Sequence, residues 1–316
     1  MLANGRRVSF GIKTSQANTT YPEILRIWQE ADTVDAFEHA WLWDHLVPLR
    51  GDVTGPALEA WTLLAALAAQ TTRLRLGIIV TNNRIRQPAV LAKMAATVDI
   101  IASGRLEFGI GAGGSAVADP AGLAMVHREF DAYGLEVVSP GEAVAALGEA
   151  CTIVKRLWNS EAPFDFDGRY YQLRGAICEP KPVQRPGPPI TIGAAGEQLA
   201  LRIVAEHADI WNCPTRGDVD EFRHKSAVLD EHCATIGRDP AEITRSVQIL
   251  VATQAAGGAA PNAGVLPRFF DPPAARDLIL ELIEAGARHF VLAPVGYQSP
   301  HALAEEIVEP VLAAIR

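Results

Sequence analysis

Short apolar runs alternate along the whole chain with longer segments in which apolar residues recur three and four positions apart. The short runs predict buried strands, and the longer segments predict amphipathic helices. The eight strands predicted in this way are residues 8–13, 40–43, 73–80, 105–110, 189–193, 209–212, 243–252 and 289–293. The eight predicted helices are residues 21–35, 57–70, 87–101, 141–158, 197–207, 218–236, 273–285 and 302–315.

This alternation predicts the class of fold. Mostly apolar strands are typical of a parallel sheet with both faces covered, and eight strand–helix units favour a closed barrel over an open doubly wound sheet. The sequence therefore predicts a (β/α)8 TIM barrel with insertions, formed as a single domain by residues 1–316. Two segments interrupt the repeat: residues 111–140 are interpreted as irregular, and residues 163–188 contain a hairpin that turns at Asp167-Gly168.

The overall charge and the cysteines exclude several classes of function. The chain carries a formal net charge of −9 and has no cluster of Lys and Arg, so we expect no binding of nucleic acid. Its four cysteines match no zinc spacing, which predicts reduced thiols and no metal site. The N-terminal residues lack the apolar core of a signal peptide, and no run of about 20 apolar residues is present. We therefore expect a cytoplasmic protein without a membrane partner.

In a barrel of this class the active site lies in the loops that follow the strands. Asp44 and His45 follow the second strand, where they can bind polar ligand atoms and move protons, or else cap a turn and make a structural hydrogen bond. Glu59 is a candidate acid or base, although a carboxylate at a helix start is the more common explanation. Asn82 follows the third strand as a hydrogen-bonding side chain at the mouth. Arg86, a little further on, belongs either to this site or to a solvated loop.

Two glycine-rich loops complete the set of candidates. Residues 109–114 match G-x-G-x-x-G, but this dinucleotide fingerprint belongs to the first unit of a doubly wound sheet, so a Rossmann site is disfavoured here. Glycines in any fold still let the backbone approach a planar ring or a phosphate. Residues 193–197 lead into a predicted helix, and small residues at a helix start predict an anion site. Trp158, Tyr170 and Tyr171 are interpreted as packing residues.

Several longer strings resemble one enzyme family in their order and spacing. They are AWLWDHLVPL (40–49), the long segment 59–113, EFDAYG (129–134), FDGRYYQL (166–173), PKPVQ (180–184), PPITIGAAGE (188–197) and ADIWN (208–212). Together they resemble the luciferase-like monooxygenase superfamily, and within it the type that uses coenzyme F420. The resemblance spans nearly the whole chain, and residues 254–316 contribute least to it.

The resemblance implies a barrel that binds a flavin or deazaflavin at its C-terminal mouth, with a non-proline cis peptide behind the ring at Ile79-Val80. The cofactor-binding residues that it implies are Asp44, His45, Ile79, Val80, Asn82 (or Asn83), Gly111, Ala112, Gly113, Gly193, Ala194, Ala195 and Gly196. Some relatives have an acidic proton donor where this chain has Gly114. That difference shifts the acid–base role to His45, with Asp44 and Glu59 as further catalytic candidates, and argues against sugar-phosphate dehydrogenase activity.

The leading functional hypothesis is an F420-dependent oxidoreductase that transfers a hydride between the deazaflavin and a small organic substrate, which is a C=C bond, a C=N bond or an alcohol. His45 would move the proton. An FMN-dependent monooxygenase of the same fold is the alternative, and a barrel that binds a ligand without catalysis is a third. The substrate depends on residues 114–140 and 254–272. A homodimer is expected from the resemblance.

Overall fold

A computed structural model describes residues 7–49, 51–113, 120–253, 268–297 and 299–316. Eight parallel strands form a closed ring in the order β1-β2-β3-β5-β8-β9-β10-β12, and β12 pairs with β1. The barrel strands are β1 (Ser9–Lys13), β2 (His39–Leu42), β3 (Arg75–Ile78), β5 (Leu106–Gly111), β8 (Ile190–Gly193), β9 (Ile210–Cys213), β10 (Thr244–Ala252) and β12 (His289–Val295). Every one of the eight predicted strands is present, and the predicted (β/α)8 barrel is confirmed. The single domain stays a prediction.

Within the described ranges, four short strands lie outside this ring. β4 (Thr81–Asn82) pairs with β5, and β11 (Phe269–Phe270) pairs with β10. β6 (Phe164–Asp167) and β7 (Gln172–Ala176) form an antiparallel hairpin where the sequence predicted one. The prediction that residues 73–80 form one strand is wrong, because β3 ends at Ile78 and pairing resumes only in β4. Between them the Ile79-Val80 peptide bond is cis, as the family resemblance implied.

Helices surround the barrel on its outer side. They are α1 (Tyr21–Ala31), α2 (Ala60–Ala68), α3 (Pro88–Ile101), α4 (Pro120–Ala132), α5 (Pro140–Asn159), α6 (Ala200–His207), α7 (Val219–Thr235), α8 (Pro272–Glu284), α9 (Pro300–Leu303) and α10 (Glu309–Ala314). A large apolar core lies between strands and helices, and includes Phe10, Trp28, Trp61 and Phe108. In the part of the chain that the structure describes, no helix is long and apolar enough to cross a membrane.

The helices α4 and α10 differ from the sequence prediction. α4 occupies residues that were expected to be irregular, and it buries Val126, Glu129 and Phe130 along one side. The last predicted helix is interrupted by a π-helical turn at Ala304–Val308. Its physical cause is Pro310, which lacks the N–H that the carbonyl of Glu306 would accept in an α-helix.

Arginine side chains fasten the N-terminal end of the barrel. Arg105 donates hydrogen bonds to four backbone carbonyls at 2.8 to 2.9 Å, those of Ala68, Thr71, Leu74 and Ala102. The last carbonyls of a helix have no partner within the helix, so an adjacent guanidinium satisfies them. Arg73 and Arg238 make equivalent bonds after α1 and α6. These bonds stabilise the N-terminal end of the barrel, whereas the active site of a barrel of this class lies at the opposite, C-terminal end.

Candidate active site

The C-terminal end of β2 places Trp43, Asp44 and His45 at the barrel mouth. The adjacent loop after β1 holds this segment in place, because the buried side chain of Gln16 donates to the carbonyl of Trp43 and accepts from its N–H at 3.4 Å. The Trp43 and His45 rings lie 5.0 Å apart. Trp43 Nε1 is buried and has no hydrogen-bond partner among the described residues. An orphaned buried donor at the mouth is a position that an acceptor atom of a ligand could satisfy.

His45 lies at hydrogen-bond distance from a carboxylate that comes from a distant part of the chain. Its Nδ1 lies 3.0 Å from Oε2 of Glu129 in α4, and the other carboxylate oxygen accepts the N–H of Leu46. The Glu129 side chain is only 2% exposed, while His45 is 30% exposed. A carboxylate that accepts from Nδ1 fixes the ring orientation and leaves Nε2 to exchange a proton with a ligand. Sequence reasoning missed Glu129 as a site residue, although it begins the quoted string EFDAYG.

Asp44 is buried in a charged cluster with Arg86 and Glu59. Arg86 donates to both oxygens of Asp44, at 2.7 and 3.0 Å, and also to Glu59 Oε1. Burial raises the pKa of Asp44, against the opposing effect of Arg86. Burial alone would lower the pKa of Arg86, but its hydrogen bonds and charge contacts with the two carboxylates raise it. Arg86 is 11% exposed, so the solvated-loop interpretation of this arginine is wrong.

Glu59 forms the N-cap of α2. Its carboxylate accepts the backbone N–H of Trp61 at 3.1 Å and of Thr62 at 2.7 Å. Burial would raise the pKa of Glu59, but these hydrogen bonds and the charge of Arg86 lower it. The carboxylate therefore holds a helix start and an arginine, which is the more common of the two roles expected for it.

The two asparagines after β3 lie in different surroundings. Asn82 donates its backbone N–H to Asp44 at 2.8 Å, and its side-chain oxygen lies next to Gly113. Asn83 instead donates from its side chain to the hydroxyl of Tyr171 in the hairpin, at 3.2 Å. Burial raises the pKa of that Tyr171 hydroxyl. Asn82 is therefore the asparagine that lies beside the predicted cofactor channel.

Val80 and two glycines form a flat apolar wall at the mouth. A Cβ at Gly111 would lie 2.7 Å from Cγ2 of Val80, and a Cβ at Gly193 would lie 3.1 Å from both Val80 methyl groups. The glycines therefore make room for the valine side chain. Ile79 and Val80 pack with Trp41 and Val291 inside the barrel. Ala112 is buried beside this wall, and Gly113 follows with φ of +96°, a conformation that favours glycine.

The second glycine loop, Gly193–Gly196, connects β8 to α6. The prediction that a helix begins at residue 197 is wrong, because a turn occupies 197–199 and α6 starts at Ala200. Trp211 Nε1 donates to the carbonyl of Ala194 at 2.9 Å. Lys225 of α7 donates to the carbonyl of Ala195 at 2.9 Å and lies 3.5 Å from Glu197. Sequence reasoning missed Lys225, a cation next to the predicted phosphate loop.

The described residues contain no group of three or more His, Cys, Asp and Glu side chains that could hold a metal ion. All four cysteines are free and buried. Burial raises the pKa of Cys151 and of Cys213 to about 12 each. These thiols are therefore packing residues. The position that some relatives use for an acidic proton donor, Gly114, lies outside the described residues.

The arrangement is compatible with a ring that carries a phosphate. Val80 and the glycines supply an apolar surface, the 193–196 loop lies beside Lys225, and Trp43 Nε1 supplies an orphaned donor. His45 with Glu129 supplies a proton-transfer group at the same mouth.

Comparisons with known proteins agree with this geometry. A family model described as luciferase-like monooxygenase matches residues 8–261. The chain is 32% identical over 199 residues to the phthiodiolone/phenolphthiodiolone dimycocerosates ketoreductase of Mycobacterium sp. (strain JLS). That alignment covers 62% of this chain and 48% of that protein. It is 29% identical over 255 residues to the protein of the same name from Mycobacterium bovis. The alignment in this case covers 74% of this chain and 63% of that protein. The chain thus spans about half to two thirds of the length of these relatives.

Solved structures share the fold. An F420-dependent secondary alcohol dehydrogenase in complex with an F420–acetone adduct superimposes with a TM-score of 0.78 at 20% identity, over 98% of this chain and 99% of that one. The coenzyme F420-dependent tetrahydromethanopterin reductase of Methanopyrus kandleri gives 0.76 at 19% identity, over 98% and 100%. An EDTA monooxygenase from a Chelativorans strain gives 0.78 at 14% identity, over 98% and 94%. At these identities the likeness establishes the architecture alone.

Proposed function

The chain belongs to the luciferase-like monooxygenase family, and on that premise we propose that it is an F420-dependent oxidoreductase that transfers a hydride between the deazaflavin and a small organic substrate. A ketone and its secondary alcohol are the favoured substrate pair. The observation that carries the proposal is the His45–Glu129 pair, 3.0 Å apart, which follows β2 at the C-terminal end of the barrel. The names of the ketoreductase relatives and of the F420-dependent alcohol dehydrogenase support the carbonyl chemistry.

His45 is the proton-transfer residue in this proposal. In the reducing direction Nε2 would give a proton to the substrate oxygen, and in the oxidising direction it would accept the proton back. Glu129 is a positioning residue that keeps Nδ1 engaged and stabilises the positive charge of the protonated imidazole. When bound, the deazaflavin supplies a hydride at its C5 position. The polar substrate atom and His45 must then share a site from which water is largely excluded.

The remaining residues hold the cofactor. Ile79 and Val80, with Gly111 and Gly193 behind them, would support the ring, and Gly193–Gly196 with Lys225 would receive the phosphate. Asn82, Ala112 and Gly113 would line the channel between the two. Asp44 and Glu59 act in this proposal through Arg86, by fixing the loop on which Asn82 lies.

An FMN-dependent monooxygenase is the second candidate. The family description and the shared architecture with the EDTA monooxygenase favour it. In that case reduced FMN would activate O₂, and the same wall and phosphate loop would hold the cofactor. His45 and Glu129 are compatible with either cofactor, so the cofactor has to be identified by direct binding.

The deciding experiment is a titration of protein purified without added cofactor, first with F420 and separately with FMN, followed by fluorescence. Saturable binding of F420 at micromolar or lower concentration, with FMN not bound, supports the proposal. Tight binding of FMN alone, with oxygen consumption on addition of a reductant, replaces it with the monooxygenase. Binding of neither would favour a barrel that has lost this chemistry. A homodimer and a cytoplasmic location remain predictions, and light scattering after size exclusion tests the first.

A further inference from the structure

The inward-facing positions of the barrel carry glycines beside a tryptophan in one region and polar side chains in another. On β3 and β5 the inward positions include Gly77 and Gly109, and the indole of Trp41 fills the space above them, so that a Cβ at Gly77 would lie 2.5 Å from its Cζ3. On β1, β9, β10 and β12 the inward positions include polar side chains, and on β5 the buried Glu107 lies 3.7 Å from His289 of β12. Burial of a polar side chain costs free energy unless the side chain is hydrogen-bonded. The hydrogen-bond partners of these inward-facing side chains are therefore informative.

These polar side chains form one continuous hydrogen-bonded chain. Lys13 Nζ donates to Gln248 Oε1 at 2.8 Å, and Gln248 Nε2 donates to Asn212 Oδ1 at 2.8 Å. Asn212 Nδ2 then donates to Ser246 Oγ at 3.0 Å, and Ser246 Oγ meets His289 Nδ1 at 2.8 Å. A lysine ammonium can only donate, so it fixes the orientation of both amides in turn. The chain therefore holds the ammonium of Lys13 in one place.

Lys13 lies on the mouth side of the barrel. It is the last residue of β1, it pairs in register with Trp41 of β2, and its side chain is half-buried. Trp41 packs against Ile79 and Val80, which form the proposed ring-binding wall. The strand next to β1 is β2, which Asp44 and His45 follow. The Lys13 ammonium is thus held at the same end of the barrel as the proposed active site.

We propose that Lys13 is a binding residue that favours the reduced form of the cofactor. This inference rests on the proposed function. Addition of a hydride to a flavin or deazaflavin ring adds negative charge to the ring system, and a fixed cation in a partly dehydrated site stabilises that charge more than water does. Gln248 and Asn212 are positioning residues, because their amides keep the ammonium in place. Because the chain has a net charge of −9, a cation at this point is opposite in sign to the charge of the protein as a whole.

The test compares the dissociation constants of oxidised and reduced F420 for each variant, measured under anaerobic conditions. We expect Lys13→Met to weaken binding of the reduced form about tenfold more than binding of the oxidised form. Lys13→Arg, which keeps the charge, retains most of the preference, and Gln248→Leu loses part of it. Lys93→Met removes a charge from the exposed face of α3 and serves as the matched control, with no change in the ratio.

The outcomes separate this inference from the proposed function. If the wild-type protein binds both forms but Lys13→Met leaves their ratio unchanged, the inference fails and the proposed function stands. If the wild-type protein binds neither F420 nor FMN, both fail. If it binds FMN alone, the same ratio for oxidised and reduced FMN decides, since reduction adds charge to that ring as well. A melting curve for each variant shows whether it is folded. If Lys13→Met is not folded, the ratio of dissociation constants measured for Lys13→Arg decides.

Discussion

Arg86 donates hydrogen bonds to both carboxylate oxygens of Asp44, at 2.7 and 3.0 Å. The same Asp44 accepts the backbone N–H of Asn82, and the same Arg86 reaches the N-cap residue Glu59. This pair therefore ties the end of β2, the segment after the Ile79-Val80 bond and the start of α2 to one another. The pair thus stabilises these three segments at the edge of the proposed cofactor site.

We expect Arg86→Met to destabilise the protein by about 3–5 kcal/mol, because it leaves the buried Asp44 without the cation that pairs with it. Thermal or urea unfolding measures the loss, and cofactor binding should weaken in parallel because Asp44, which holds Asn82, is no longer fixed by Arg86. Arg26→Met is the matched control, since Arg26 pairs with Glu30 on an exposed helix surface, where an ion pair contributes about 0–1 kcal/mol. Addition of Asp44→Asn to Arg86→Met should recover part of the stability. An equal loss in both arginine variants would contradict the assignment.

The His45–Glu129 pair leads to a prediction about catalysis. His45→Asn should lower kcat by about 10²- to 10⁴-fold, the usual contribution of a general acid or base. Cofactor dissociation constants should change little, because the Val80 wall and the phosphate loop are untouched. Steady-state kinetics with a ketone or alcohol substrate, together with a cofactor titration, measures both quantities. A large loss of cofactor affinity with kcat preserved would make His45 a binding residue.

Glu129→Gln separates positioning from folding. Its amide oxygen can still accept the N–H of Leu46, but the amide no longer offers a negative charge to His45. We expect kcat to fall by about tenfold or more with the melting temperature nearly unchanged. Glu129→Asp, which keeps the charge on a shorter side chain, should recover part of the rate. A variant that melts early without such recovery would show that Glu129 serves only to hold α4.

The sequence predicted the barrel well because each strand is a short apolar run between polar or glycine-rich ends, and a pattern of that kind is local. The site was harder because its key pairs are not local. His45 and Glu129 are 84 positions apart, and only the packing of α4 brings them together. The pattern in α4 was too weak to predict a helix, since its inward side carries a buried carboxylate beside its apolar residues. Arg86 looked like a loop residue for a similar reason: nothing local distinguishes a buried arginine from a solvated one.

A fourth prediction concerns the wall formed by Val80. Gly111→Ala should destabilise the protein by about 1–3 kcal/mol, because the new Cβ would lie 2.7 Å from Val80 Cγ2. Val80→Ala in the same chain removes that methyl group and should relieve much of the strain. Urea unfolding of the two single variants and the double variant gives the coupling between them. Gly141→Ala is the control, since a Cβ there meets nothing within 4 Å. Additive effects at 111 and 80 would mean that the two residues do not touch.

The dependence of stability on pH should be set in part by His207, at the end of α6. Burial, assisted by the charge of Lys155, lowers the pKa of His207 to about 4 from 6.5, and its side chain is 16% exposed. The unfolded chain therefore binds the proton first as pH falls, so the folded state loses stability between about pH 6.5 and pH 4. The loss from this residue is about 3 kcal/mol.

Burial also lowers the pKa of His39, and the effect on stability has the same sign as that of His207. The pKa of Glu107 is about 2, so its contribution is lost only below about pH 4.5. Melting temperatures from pH 8 to pH 4 test this, with His207→Gln expected to flatten the curve and His301→Gln, at an exposed position, expected to leave it unchanged. If His207→Gln melts with the same pH dependence as the wild-type protein, the buried neutral histidine is not responsible for acid instability.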